Sequence, residues 1–304
     1  MSSGETGRVP APWRKRCLTW PLSGALAWSA AAVLSRIQLD AASRAGGAVA
    51  RRIGPRLAIN RRARRHIADS FPEWSEREID DTLLAMWEHL GRVAGEYVHL
   101  RDFDLSGDDP RVTVVGREHL LAARDDGRPG IFVSAHLGNW ELLPGVALAN
   151  GLTVHSIYRP LNAPISERVL RQRILPHAHL MIPKGSAGAG RLARLLRRNE
   201  HVAFLVDQRL NEGIAVPFFG RPARTTPAVA VFALHHRCPV IPIRAQRTRG
   251  AEFRVTVSPP LDLPDTGDRD ADIHTLTCNI TLMVENWIRE TPEQWLWPHR
   301  RWGK

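Results

Sequence analysis

The sequence predicts an α/β fold, a mostly parallel sheet with helices on both faces, preceded by a basic N-terminal arm (residues 1–66) that holds a hydrophobic segment near 18–34. Three observations carry that expectation. Short apolar runs alternate with helical stretches of roughly ten or more residues, the pattern of parallel strands joined by helical crossovers. A chain of 304 residues that is 43% hydrophobic and 24% charged is globular and long enough to bury a substantial core. The charge is lopsided: residues 1–65 hold thirteen Lys/Arg against two acids (Glu5, Asp40), an excess of eleven, while the other 239 residues hold 29 of each sign. The whole net charge of +11 therefore lies in the arm.

Within the arm, "LTWPLSGALAWSAAAVL" (18–34) carries no charge and is flanked by Arg14, Lys15, Arg16 and Arg36. Seventeen residues is the lower limit for a membrane span, and Pro21, Ser23 and Ser29 weaken it. An interfacial helix or a buried helix of the soluble domain fits the same residues. The basic run "RRIGPRLAINRRARRH" (51–66) suits an anionic lipid surface. No helix-turn-helix, zinc-finger or RNA-binding signature accompanies it, so the sequence predicts a lipid partner and no nucleic acid.

"SERE" (75–78) is a capping box opening a helix with Ile79, Leu83, Trp87, Leu90, Ala94 and Val98 on one side. Strands are predicted at 111–115, 130–135, 152–158, 201–207, 238–247 and 252–258. Helices are predicted at 117–127, 137–149, 165–175, 189–199, 225–236 and 271–290. In such sheets ligands collect beyond the carboxyl ends of the strands, where His136 and Asp207 both fall.

"SAHLGNWELL" (134–143) places His136 just after a strand and Glu141 five residues on. On one regular helix the two would lie on different faces. If His136 sits in the turn and Glu141 about one turn into the helix, the carboxylate reaches back to one imidazole nitrogen and leaves the other free. A histidine held so can deprotonate a hydroxyl for attack on an activated acyl carbonyl, with backbone N–H groups near Gly138 and Asn139 available to the oxyanion. The same pair also reads as a capping glutamate beside a surface histidine, and Asp207 as a turn cap. Three widely spaced cysteines (Cys17, Cys238, Cys278) give neither a disulfide framework nor a metal pattern. There is no G-x-S-x-G elbow, no H-E-x-x-H and no nucleotide-binding glycine motif, so the sequence predicts no catalytic metal and no cofactor.

"HLGNWE" (136–141) resembles the H-x4-D/E box of the lipid A biosynthesis acyltransferases of the lauroyl and myristoyl type. "YRP" (158–160), "PKG" (183–185), "DQR" (207–209), "GIAVPFFGRPARTTPA" (213–228), "PVIPIR" (239–244) and "PEQWLWPHRRW" (292–302) follow in that family's order. "MWEHLGRVAGEY", "NWEL" and "EQWLWPHRRW" look most like alphaproteobacterial members. The resemblance implies a glycerol-phosphate-acyltransferase-like fold, acyl carrier protein as thioester donor, a hydroxyl of a lipid A precursor as acceptor, and the cytoplasmic face of the inner membrane. It implies His136 as general base and Glu141 as its orienting partner. Arg159, Arg173 (or its neighbour Arg171) and Asp207, with Asn139 and Gln208, become candidates for binding the acceptor or shaping the site. Where the family often has two asparagines after "YRP", this chain has only Asn162. Actinobacterial relatives would keep the chemistry on phosphatidylinositol mannoside with acyl-CoA.

Overall fold

The computed structural model describes residues 29, 31–158, 180–183 and 186–303. Seven strands form one sheet: β1 (Val112–Val115), β2 (Ile131–Ser134), β3 (Val154–Tyr158), β4 (Met181–Pro183), β5 (His201–Leu205), β8 (Val240–Arg249) and β9 (Glu252–Val257). Their order is β1-β9-β8-β2-β5-β3-β4. All neighbours are parallel except β8 and β9. Those two are joined by a tight turn at Gly250, and so short a connection permits only an antiparallel return.

Helices cover both faces, as the alternation of elements predicts. Along β2, Ile131 and Val133 belong to one buried cluster and Phe132 to the other, the period-2 signature of a strand buried on both sides. The first cluster is closed by the long helix α3 (Glu76–Glu96) and by α8 (Arg269–Glu290), the second by α4 (Arg117–Asp125) and α5 (Leu143–Ala149). The capping box forms as its sequence predicts: the Ser75 hydroxyl accepts from Glu78 N–H at 3.3 Å, and the Glu78 carboxylate accepts from Ser75 N–H at 2.7 Å. The buried stripe of α3 follows the expected one at Ile79, Leu83 and Trp87 and departs from it toward the C-terminal end. Ala94 is exposed, and Val93, Gly95 and Glu96 are buried instead.

The arm is folded well before residue 66. Helices α1 (Leu39–Ile53) and α2 (Asn60–Ser70) precede α3. Gly46 of α1 lies so close to α3 that a Cβ there would stand 2.2 Å from the Gly91 carbonyl oxygen, so small residues alone permit the packing. Among the described residues no helix is long and apolar enough to cross a membrane. The hydrophobic segment near 18–34 falls outside them except for Ser29 and residues 31–34, which are helical. The expected helix at 165–175 also lies outside.

Two features escape the sequence reading. Strand β4 is three residues long, too short for a pattern. A hairpin, β6 (Ile214–Phe218) with β7 (Arg221–Thr225), forms a separate two-stranded sheet in which Pro217 faces Pro222. Proline inside a run argues against a strand and is tolerated here because this ribbon has no further neighbour among the described residues. Helices α6 (Ser186–Leu196) and α7 (Ala228–His236) lie near their expected places.

Candidate active site

Strand register brings two distant residues together. β2 and β5 are parallel neighbours with Ser134 opposite Leu205, so two residues further along each strand His136 meets Asp207 beyond the carboxyl edge. His136 Nδ1 lies 2.8 Å from Asp207 Oδ1, and His136 N–H donates to Oδ2 at 3.0 Å. Oδ2 accepts a further bond from the indole of Trp295 at 2.8 Å. Burial alone would push the Asp207 carboxyl up. The charges of His136 and His299 and the bond from Trp295 outweigh it and hold the group below the ordinary carboxylate range.

An ionised carboxylate only accepts, so Nδ1 of His136 carries a proton, and in the neutral ring Nε2 presents a lone pair. Burial opposes a charge on this ring, but Asp207 and, more remotely, Glu141 outweigh burial and raise the imidazole above its ordinary value. Nε2 faces the exposed amide of Gln208, whose nitrogen is 3.3 Å away. The ring edge of His136 packs against Trp140, centroids 5.1 Å apart.

Glu141 does not make the hydrogen bond that its spacing predicts. Its carboxylate accepts from the Trp140 indole at 2.9 Å, and the imidazole nitrogen it was expected to hold is taken by Asp207. The cause is local. Gly138 adopts φ +58°, a left-handed turn in which a Cβ would collide with the Ala245 carbonyl at 1.9 Å. The chain becomes helical only at Trp140, first as a 3₁₀ turn (Trp140–Leu142), so Glu141 is not a full turn inside a helix. Its link to His136 is through charge alone. Burial pushes the Glu141 carboxyl up, against the lowering effects of Trp140 and His136.

Asn139 is fully buried, and its side-chain amide donates to Glu96 at 2.9 Å. It props the turn from behind. Arg159 and Arg173 lie outside the described residues. The C-terminal segment completes the site: Leu137 bridges to Trp295, Leu296 N–H donates to the His136 carbonyl at 3.2 Å, and the His299 ring contacts the Asp207 carbonyl at 3.2 Å. Arg301, buried, ties this segment to the hairpin through the Arg224 carbonyl at 3.1 Å and the Thr225 hydroxyl at 2.6 Å. Trp295, Glu96 and His89 were not anticipated as parts of the site. Trp295 lies in the "PEQWLWPHRRW" block that resembles the family, which gives its neighbourhood but not its bond to Asp207.

The arrangement is an oriented imidazole whose second nitrogen meets the exposed amide of Gln208, at the sheet edge where α/β folds bind ligands. Residues 16–304 match the sequence profile of the family described as bacterial lipid A biosynthesis acyltransferase. A phosphatidylinositol mannoside acyltransferase of Mycolicibacterium smegmatis is 25% identical over 231 residues, which cover 71% of this chain and 73% of that protein.

Proposed function

The chain belongs to the bacterial lipid A biosynthesis acyltransferase family, and on that footing we propose that it transfers a fatty acyl chain from acyl carrier protein to a hydroxyl of a lipid A precursor at the cytoplasmic face of the inner membrane. The observation that carries the reading is His136, tethered through Nδ1 to buried Asp207, with Nε2 turned to the exposed amide of Gln208, which an acceptor hydroxyl would displace. Nε2 takes the proton of the acceptor hydroxyl, and the alcohol oxygen attacks the thioester carbonyl carbon. The C–S bond then breaks, and the departing thiolate receives that proton, leaving an ester and a free thiol. A thioester needs little activation and an alcohol needs a base, so general-base catalysis of about 10²–10⁴-fold falls where the barrier is. Asp207 stabilises the imidazolium as it forms, as the acid of a Ser-His-Asp triad does. Glu141 adds negative charge at longer range.

The membrane side of the proposal rests on α1 and the turn after it. Val49, Ile53 and Leu57 are exposed apolar residues beside exposed Arg51, Arg52 and Arg56, a mixture suited to an anionic lipid surface. Gln208, and beyond the described residues Arg159 and Arg173, are the groups we assign to the acceptor.

A second reading keeps the chemistry and changes the acceptor to phosphatidylinositol mannoside with acyl-CoA as donor, which the mycobacterial relative favours. Purified protein offered each donor with each acceptor separates the two by mass spectrometry of the products. An acyl mass added to the lipid A precursor from the carrier-protein thioester supports the first reading. An acyl mass added only to the mannoside supports the second, and hydrolysis to free fatty acid with no acylated glycolipid defeats both.

A further inference from the structure

Behind the His136 turn lies a chain of buried polar groups with no part in the proton transfer. The Glu96 carboxylate, wholly buried at the end of α3, accepts from the Ser43 hydroxyl at 2.7 Å, from the Asn139 amide at 2.9 Å and from both terminal nitrogens of Arg247. Arg247 Nε donates to His89 Nδ1 at 3.2 Å, and His89 Nε2 lies 3.1 Å from the Gly138 carbonyl oxygen. A guanidinium can only donate, so Nδ1 of His89 is the acceptor and Nε2 carries the proton that Gly138 receives. Burial, with help from the Arg247 charge, drives the His89 imidazole down to about 3, which keeps that neutral tautomer throughout the working range. The backbone of Arg247 is itself clamped, N–H and carbonyl, by the Gln294 side chain at 2.8 and 2.9 Å, and the Gln294 carbonyl accepts from Gly138 N–H at 3.1 Å.

Both polar groups of Gly138 and the side chain of Asn139 are therefore held from α3, β8 and the C-terminal segment. Every direction of donation along the chain is fixed. Burying Glu96, His89, Arg247 and Asn139 is costly even though only the Asn139 side-chain oxygen lacks a partner among the described residues, and a wholly apolar interior would hold the helix as well. Their arrangement grips Gly138 and Asn139, the second and third residues after His136.

We propose that Glu96 and His89 are positioning residues, acting through Arg247, Asn139 and Gly138 to hold the turn that aims His136 at the acceptor hydroxyl. The proposal rests on the acyl-transfer reading above. It places a functional demand on α3, an element remote in sequence from the H-x4-E box, and it explains why the predicted apolar stripe of that helix gives way to a carboxylate.

The test is steady-state acyl transfer by wild type, His89→Leu, His89→Gln and Glu96→Gln, with the thermal midpoint of each measured. A misaimed base costs on the order of 10²-fold in kcat without weakening substrate binding. His89→Leu is expected to lose about that much in kcat with KM unchanged. His89→Gln, which keeps an acceptor and a donor, recovers most of it, and the isosteric Glu96→Gln loses about tenfold or more while remaining folded. The acid limb of the kcat/KM profile stays in place in all three, because Asp207 is untouched. Unchanged kcat in folded Glu96→Gln, a rise confined to KM, or His89→Gln no better than His89→Leu overturns the proposal while leaving the acyl-transfer reading intact. A wild-type protein that transfers no acyl group overturns both.

Discussion

Two histidine–carboxylate pairs sit at opposite edges of the same sheet, and they are not equivalent. At the carboxyl edge His136 meets Asp207 at 2.8 Å; at the amino edge His155 of β3 meets Glu200, just before β5, at 2.7 Å. Distance does not separate them. Asp207 has no exposed side-chain surface and receives three donors, whereas the Glu200 side chain is 35% exposed to solvent. The second nitrogen of His136 opens toward exposed Gln208, while Nδ1 of His155 is buried and finds no partner among the described residues. A histidine next to a carboxylate becomes a usable base when the acid is immobilised and the far nitrogen can meet a substrate. His155 fails on both counts.

That contrast can be broken by experiment. The largest effect is expected at His136→Ala, which removes the base and should lower kcat for acyl transfer by about 10²–10⁴-fold while the protein stays folded. Circular dichroism alongside the assay checks both halves. The pH profile sharpens the same point. The base must be neutral, so kcat/KM rises with pH through the free-enzyme value of His136. That value is raised, and the acid limb should lie above the ordinary imidazole range. A limb below that range would mean that Asp207 does not govern the ring.

Trp295→Phe takes one of the three donors from Asp207 and keeps the aromatic packing against Phe218 and Trp297. A hydrogen bond to a charged group contributes about 1.5–3 kcal/mol, so a loss on the order of tenfold in kcat/KM is expected, with a shift of the acid limb. His155→Ala should show the smallest effect. Activity per folded molecule stays at the wild-type level, and a chemical denaturation curve registers a stability change of about 1 kcal/mol.

The sheet was readable because its signal is local: apolar runs such as "GIFVSA" and "HVAFLVD" each carry their own evidence of burial. The hairpin was not, because Pro217 and Pro222 contradict the rule that its lone two-stranded setting relaxes. His136 and Asp207 were each legible as residues at the ends of strands. Their pairing was not, because it depends on β2 and β5 being neighbours in register, and 71 residues of chain separate the two. Glu141 shows the opposite failure. Its spacing suggested a contact, but a left-handed glycine at 138 delays the helix and turns the carboxylate toward Trp140. Glu96 and His89 fall in the block "MWEHLGRVAGEY" that resembles the family, but nothing there marks them as parts of the site, since a buried charge looks in sequence like any exposed one.

The most direct test sets the two carboxylates against each other. In one acyl-transfer assay, folded Asp207→Asn should lose about 10³–10⁴-fold in kcat, the size of effect seen when the acid of a catalytic triad becomes an amide. Glu141→Gln, which removes a charge but no bond to the ring, should lose far less. The reverse order, with Asp207→Asn active and Glu141→Gln inactive, would contradict the assignment of Asp207 as the group that holds the base.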